Sequence, residues 1–304
     1  MTYLITGATG EVGSRVVRQL LERKIRPRVL VRSEEKARSL FGDRVDVCVG
    51  DLAAPDSMRG AIQEADTVFL VNVGPAIPER DKTAAMISKE LGVRKIVKLS
   101  SLDVEHGLAI GAWHEKGEAA IRTTGIPFTF VRPTGFMSNL LAWAHSIRTE
   151  SVVRSSTADG RRPFIHSEDI VSVCLAALLN DEYSGEALPI TGPESLTFGA
   201  VTAIISEAIG RPLSYQVISD EEAGERYSKI SGSQEETEAH VALWRAIREG
   251  RLAATTVSSG SWVENLLLCD SGSRRTSAHF STNLDWTARG WFNTNAALAI
   301  SIVG

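Results

Sequence analysis

Gly7-Ala8-Thr9-Gly10-Glu11-Val12-Gly13 is the stretch of this 304-residue chain whose types and spacing best suit phosphate chemistry. It follows the short β-prone run at residues 3–6, and Val12, Val16, Leu20 and Leu21 then recur at helical spacing. Gly7 permits a tight turn, Gly10 lets the backbone approach a pyrophosphate, and Gly13 lets the helix pack closely on the strand. The backbone around Thr9, Glu11 and Val12, at the positive end of the helix, would then hold the phosphates. A spaced-glycine pattern alone is weak, but the strand-turn-helix context at the start of a βαβ unit makes it specific.

The end of the next strand decides which dinucleotide is expected. An acid there would bind the ribose 2′-hydroxyl of NAD; the chain has Arg32-Ser33 instead, with Lys36 and Arg38 soon after. A cation beside a hydroxyl suits the 2′-phosphate of NADP(H) through charge-assisted hydrogen bonds. The alternative is an ordinary solvated strand-end arginine. Asp51, with Leu52 against the ring, is placed either for the adenine edge or as a helix N-cap. Asn72 and Val73 after the fourth strand and Ser100 after the fifth are expected on the ribose side, and Pro133 after the sixth is assigned to the cofactor too, because ligands sit outside the carboxyl ends of parallel strands.

Reducing a carbonyl also needs a proton, or donors that hold the developing oxyanion. Two residues are candidates. His114 is an imidazole that titrates near neutral pH, with a helix-surface or ribose-contacting histidine as the alternative. Ser101 could hydrogen-bond a carbonyl oxygen, or play a plain structural or ribose-binding part beside Ser100. Trp113, Phe136, Met137, Trp143 and Phe164 lie on segments expected around the nicotinamide, either as an apolar wall for a flat substrate or as core. His166 reads as capping architecture or pocket wall. No carboxylate pair, zinc cluster or Cys-His arrangement has metal or nucleophile spacing, so no metal is expected.

The elements that must position these residues alternate. Strand-like runs at 28–32, 45–49, 66–72, 95–101 and 127–132 are separated by helical stretches such as 84–91 and 115–122. This rhythm predicts an α/β fold, a doubly wound parallel sheet with right-handed crossovers. Beyond residue 135 it changes. Helices are expected at 136–148, 169–179, 198–209, 220–229 and 235–248, strands at 186–191 and 213–218, and a turn at 159–162. The chain is therefore divided into a cofactor-binding domain at 1–150, a substrate-binding region at 151–260 on the C-terminal side, some of whose segments return to the sheet, and a tail at 261–304. That tail holds no lysine, three of the six tryptophans and no helical periodicity, and no role is assigned to it.

Composition limits the rest. A net charge of −4 argues against a nucleic-acid surface, and the apolar runs fall short of a membrane span. Three widely spaced cysteines show no disulfide framework and suit a reducing cytoplasm.

With these residues on the page, the sequence resembles the atypical short-chain dehydrogenase/reductases of the NmrA-like family. The glycine turn, Arg32-Ser33, Gly50-Asp51-Leu52, Leu99-Ser100-Ser101 and Glu118 carry the resemblance. It continues through residues 124–133, Phe136-Met137-Ser138-Asn139, residues 162–170 and residues 190–197, over roughly residues 1–255. It implies a Rossmann domain with a small substrate-binding region and NADP(H) or NAD(H). The activity it implies is either quinone or ketone reduction or non-catalytic dinucleotide sensing. The wider superfamily uses a Tyr-x-x-x-Lys pair; the matching positions here are Ile110 and His114, and no tyrosine occurs between Tyr3 and Tyr183. The expectation is an NADPH-dependent reductase of a ketone or quinone carbonyl on a bulky aromatic metabolite, with the proton drawn from water, the substrate or His114, and a homodimer as one assembly open to it. The alternative is a non-catalytic NADP(H)-sensing regulator that binds a partner protein.

Overall fold

The computed structural model describes residues 1–256. In chain order the elements are β1 (Tyr3–Ile5), α1 (Glu11–Glu22), β2 (Arg28–Val31), α2 (Glu34–Phe41), β3 (Asp46–Val49), α3 (Pro55–Ile62), β4 (Thr67–Val71), α4 (Ile77–Glu90), β5 (Lys95–Leu99), α5 (Ala109–Thr123), β6 (Phe128–Pro133), α6 (Ala144–Glu150), β7 (Val152–Ser155), β8 (Arg161–Arg162), α7 (Ser167–Leu179), β9 (Ala187–Ile190), β10 (Leu196–Thr197), α8 (Phe198–Ala208), β11 (Ser214–Val217), α9 (Asp220–Ser231) and α10 (Gln234–Arg248). Two compact units emerge among the described residues, one of Met1–Pro133 with Ser167–Ile190, the other of Thr134–His166 with residues 191–256.

The first unit is built on a seven-stranded sheet in the order β3-β2-β1-β4-β5-β6-β9. Every pairing in it is parallel. The order reverses at β1, where the strands run outward on both sides, and this is the doubly wound Rossmann topology that the alternating elements predict. Central strands of such a sheet are covered on both faces, and β5 is buried at all of its residues, Lys95 and Lys98 included. On one layer Leu4, Leu30, Met58, Leu70, Ile96, Ile121 and Phe130 form the core. The helices start where local chemistry allows: Ser33 caps α2 by accepting the Lys36 amide, and prolines occupy the first turns of α3 and α4.

The second unit carries two small sheets, an antiparallel pair β10-β8 and a parallel pair β11-β7. Its core includes an aromatic group in which Trp143 and Phe164 both lie 5.5 Å from the Phe198 ring. A helix expected over 136–148 forms only in part. Phe136 is extended and bridges Ile165, whose carbonyl takes the Met137 amide at 2.9 Å. Those backbone bonds compete with helix initiation, so Met137–Trp143 is a tight 3-10 segment and the α-helix starts at Ala144. The expected turn at 159–162 contains the two-residue strand β8, with the Gly160 amide bonded to the Thr157 carbonyl at 2.8 Å. Asp220, in the first turn of α9, holds Arg248 of α10 at 2.7 Å and Arg245 at 3.2 Å, which ties the two helices together. The tail at 261–304 lies outside the described residues. Among the described residues no helix is long and apolar enough to cross a membrane.

Candidate functional site

The glycine turn connects β1 to α1. Gly7 has φ +59°, a backbone conformation that a side chain strains, and the Gly10 amide closes the turn on the Gly7 carbonyl at 2.9 Å. A Cβ on Gly13 would run into the Gly7 carbonyl oxygen and lie 2.8 Å from its carbon and 3.1 Å from the Ala8 Cα. A Cβ on Gly10 would stand 3.1 Å from the Gly7 oxygen. Helix and strand thus meet where only hydrogens fit. Gly10 is also the N-cap of α1 and caps it with no side chain, so the first amides of the helix are left to an outside acceptor. The Thr9 and Val12 positions follow the turn, Val12 with its side chain buried in the core. The Glu11 carboxylate accepts a hydrogen bond from the Ser167 hydroxyl, and Arg15 one turn later pairs with Glu168. The acid nearest the turn is therefore engaged by α7. These features fit a bound pyrophosphate.

At the end of β2, Arg32 is exposed, and Ser33 and Lys36 are exposed beside it. Ser33 spends a lone pair on the Lys36 amide, which leaves its hydroxyl proton for an acceptor. Arg38, by contrast, is held by Glu34 and Asp43, both at 3.2 Å. The cations presented outward are thus Arg32 and Lys36. Asp51 makes a tight Asx turn, its Oδ1 accepting the Ala53 amide at 2.8 Å, while Ala54 is the N-cap of α3. The N-cap alternative for Asp51 is replaced by this turn, because the N-cap lies three residues later at Ala54 and the helix begins at Pro55. Leu52 is half-buried and packs on the core under the sheet.

The remaining strand ends divide. Val73 is 77% exposed, whereas Asn72 is buried. The Asn72 amide donates to Asp81 Oδ1 of α4 at 2.5 Å, so its side chain turns into the layer behind the sheet. Ser100 does the same toward α5, donating to Glu118 Oε1 at 2.6 Å. Glu118 in turn takes the Arg132 guanidinium at 2.5 and 3.0 Å, and Arg132 also reaches Glu105 at 3.2 Å. The carboxylates raise the Arg132 pKa further, chiefly through its hydrogen bond to Glu118. Ser101, two residues beyond the end of β5, accepts the Asp103 amide at 3.2 Å, capping a 3-10 turn. Pro133 closes β6 and is buried.

His114 is buried in the face of α5. Burial pushes its pKa well below the usual histidine range, and the Lys98 ammonium pushes it further down. This environment disfavours the imidazolium that a proton donor would need, because a cation in a dry layer beside another cation is unfavourable. Trp113, Met137 and Phe164 are buried, and Phe136 and Trp143 are half-buried.

Sequence reasoning missed the ion pair between Lys98 Nζ and Asp81 Oδ2, 2.5 Å apart and completely buried. The signal was available as a lysine inside an apolar strand. It also missed an aromatic group in the second unit, where Tyr227 stacks on His240 with centroids 4.1 Å apart and meets Trp244 edge-on at 5.8 Å.

Known proteins share this arrangement. A family described as NAD(P)H-binding matches residues 7–181. The chain is 35% identical over 225 residues to an NAD(P)H azoreductase of Xenophilus azovorans, covering 72% of this chain and 78% of that protein. It is 37% identical over 216 residues to a (4-alkanoyl-5-oxo-2,5-dihydrofuran-3-yl)methyl phosphate reductase of Streptomyces griseus, covering 70% and 76%. The fold matches the Citrobacter sp. triphenylmethane reductase complexed with NADP(H), with TM-score 0.72 at 22% identity, over 84% of this chain and 93% of that one. The phosphate turn, the sheet order and these relatives agree: the chain belongs to the NAD(P)H-binding family, among the NAD(P)H-dependent oxidoreductases of the atypical short-chain dehydrogenase/reductase, NmrA-like group.

Proposed function

We propose that this protein is an NADPH-dependent reductase of a ketone or quinone carbonyl on a bulky aromatic metabolite. The observation that carries the choice of cofactor is the exposed Arg32, with Ser33 and Lys36 beside it, where an NAD-specific site would place an acid. When bound, the dinucleotide supplies the hydride. The chain's own residues do the rest. The turn from Gly7 to Gly13 and the uncapped start of α1 hold the pyrophosphate, and Arg32 and Ser33 hold the 2′-phosphate. Asp51, Leu52, Asn72, Val73, Ser100 and Pro133 frame the remainder of the cofactor, with Asn72 and Ser100 acting through the groups they bind behind the sheet. Phe136, Met137, Trp143 and Phe164 of the second unit offer an apolar wall to a flat substrate. Ser101 offers a hydroxyl to the reacting oxygen.

The names of the relatives, an azoreductase and a furanone phosphate reductase, support reduction of conjugated, electron-poor substrates. The absence of tyrosine between Tyr3 and Tyr183 favours one other reading, a dinucleotide sensor without turnover. NADPH oxidation followed by absorbance against quinones, polycyclic aromatic ketones and azo dyes separates the two. Turnover is expected; tight NADPH binding with no turnover on any of them would establish the sensor. If a phenol beside the carbonyl shares its proton as charge develops, ketones carrying one should react faster than simple ketones.

Arg32→Asp tests the cofactor assignment. It removes a charge-assisted hydrogen bond of about 1.5–3 kcal/mol and sets a carboxylate against the phosphate. The ratio of kcat/KM for NADPH over NADH should fall by roughly tenfold to a hundredfold, since each 1.4 kcal/mol is about tenfold. An unchanged ratio would refute the role of Arg32.

A further inference from the structure

Two neighbouring hydroxyls at the carboxyl end of β5 are used differently. The Ser100 hydroxyl donates to Glu118 Oε1 at 2.6 Å, so its proton is committed to the layer behind the sheet. The Ser101 hydroxyl accepts the Asp103 amide at 3.2 Å, which fixes the oxygen and leaves the proton for an outside acceptor. Ser101 is only half-buried. Of the two, it is Ser101 that keeps a donor at the edge where ligands of a parallel sheet sit. The bond that orients it comes from a short element. Leu102–His106 is a five-residue 3-10 turn, a conformation with poor hydrogen-bond geometry of its own. Its backbone bonds are long: the Val104 amide reaches the Ser101 carbonyl at 3.3 Å and the Leu108 amide reaches the Asp103 carbonyl at 3.5 Å.

Two further contacts hold this turn in place. On one side α5 closes on it at Gly111, where a Cβ would overlap the Asp103 carbonyl and lie 2.6 Å from the Val104 nitrogen. On the other side Glu105 accepts Arg132 Nη1, from the end of β6, at 3.2 Å. Arg132 is itself set by a fork: Nη2 and Nε donate to the two oxygens of Glu118 at 2.5 and 3.0 Å, and Glu118 also takes Ser100. Glu118 lies seven residues beyond Gly111, two turns along the same face of α5. The contacts therefore close a ring, from β5 through Ser100, α5 through Glu118, β6 through Arg132 and the turn through Glu105, back to Asp103 and Ser101. Every member belongs to the first unit. The Glu118 side chain is 3% exposed and that of Glu105 41%. Glu105 is thus the tie that can be cut without stranding a buried charge, since Arg132 keeps Glu118.

We propose that Arg132, acting through Glu105, is a positioning residue for Ser101: it holds the 3-10 turn so that the Ser101 hydroxyl presents its proton to the oxygen being reduced. The proposal rests on the reductase reading above. In the balanced reaction a C–H bond forms at the carbonyl carbon with the hydride supplied by NADPH, and the C=O π pair moves onto oxygen. The Ser101 O–H hydrogen-bonds that oxygen and keeps its proton. The proton that completes the alcohol comes from water or a substrate hydroxyl. A single neutral donor helps in this way when it is oriented beforehand, because a hydroxyl that rotates freely must be ordered as the charge develops. The Asp103 amide supplies that orientation, and the Arg132–Glu105 tie keeps the amide where it is.

Two measurements on Glu105→Ala, Ser101→Ala and their double variant test this. Hydrogen exchange of the isotope-labelled protein, followed by NMR, reads the Asp103 amide directly. That amide should exchange at least about tenfold faster in Glu105→Ala than in the native protein. Glu105→Gln, whose amide oxygen can still accept Arg132, should keep the native rate. The melting temperature of Glu105→Ala should barely move, because the ion pair it removes is partly exposed. With a quinone, Glu105→Ala should lower kcat by roughly tenfold at an unchanged KM for NADPH. In the Ser101→Ala background the same substitution should cost nothing further, since the group it orients is gone. An unchanged Asp103 exchange rate in Glu105→Ala, or kcat losses that multiply in the double variant, would overturn the proposal. Lack of turnover on every substrate would overturn the reductase reading and with it the target of the Ser101 proton. The Asp103 amide would still report whether Glu105 fixes the hydroxyl, so the two failures are distinguishable.

Discussion

Asp81→Ala should destabilise the protein by about 3–5 kcal/mol, because it leaves the Lys98 ammonium buried with no partner. Both side chains are completely buried, and among the described residues the other polar group bonded to Asp81 is the Asn72 amide, itself a donor. Removing the carboxylate strands two donors at once in a dry layer. The cost is that of an uncompensated charge and does not measure the worth of the intact pair, since the desolvation of two ions offsets most of their attraction. The double variant Asp81→Ala/Lys98→Met should therefore recover most of the loss. Urea unfolding of the native protein, Asp81→Ala, Lys98→Met and this double variant gives the coupling directly. Equal losses in Asp81→Ala and in the double variant would show that packing around Asp81, and not charge, holds the layer together. The same cycle bears on function. The pair lies behind the strand end that carries Ser100, so its loss should disturb the cofactor edge even where the protein still folds.

Gly13→Ala should have the second large effect, and on both binding and stability. The added Cβ would meet the carbonyl oxygen and carbon of Gly7 and the Cα of Ala8, all of them backbone atoms that cannot rotate away. The helix start must shift off the turn, at a cost of about 1–3 kcal/mol in strain. That shift also carries the amides of α1 away from the pyrophosphate, so NADPH affinity should fall by at least about tenfold. Gly60→Ala is the control. It lies inside α3, where a Cβ meets nothing within 4 Å. There the smaller backbone entropy loss should leave binding unchanged and stability equal or higher by up to about 1 kcal/mol. Thermal melting and a fluorescence titration of NADPH check both variants. Normal affinity in Gly13→Ala would remove the turn from the cofactor site.

How much of this was legible before folding follows from the range over which each signal acts. The glycine turn is local: seven consecutive residues leading from a strand into a helix set its shape, and the observed φ at Gly7 and the close approach at Gly13 are what those residue types imply. The alternation of β-prone and helical stretches is also local, and it sufficed for a doubly wound parallel sheet. Arg32 is legible for the same reason, since its position at a strand end follows from the strand. Side-chain direction at the other strand ends is different. Asn72 and Ser100 stand where a ribose contact is expected, yet each is drawn behind the sheet by a partner on a helix, Asp81 and Glu118. Strand periodicity tells which face a residue takes and says nothing of the acid waiting there. The Lys98–Asp81 pair is the extreme case: a lysine in a fully buried strand and an aspartate in a helix read separately as a strand irregularity and a polar helix position. The cost of burying charge forces them together once the layers close, and burial likewise pushes the His114 pKa down. Phe136 failed as a helix start for a related reason, because the backbone bonds that its neighbours Gly135 and Met137 make to Ile165 form across a gap of nearly thirty residues. Local residue chemistry thus settles the cofactor turn and the order of elements, while the direction and charge of the side chains around the reacting edge arise from long-range burial.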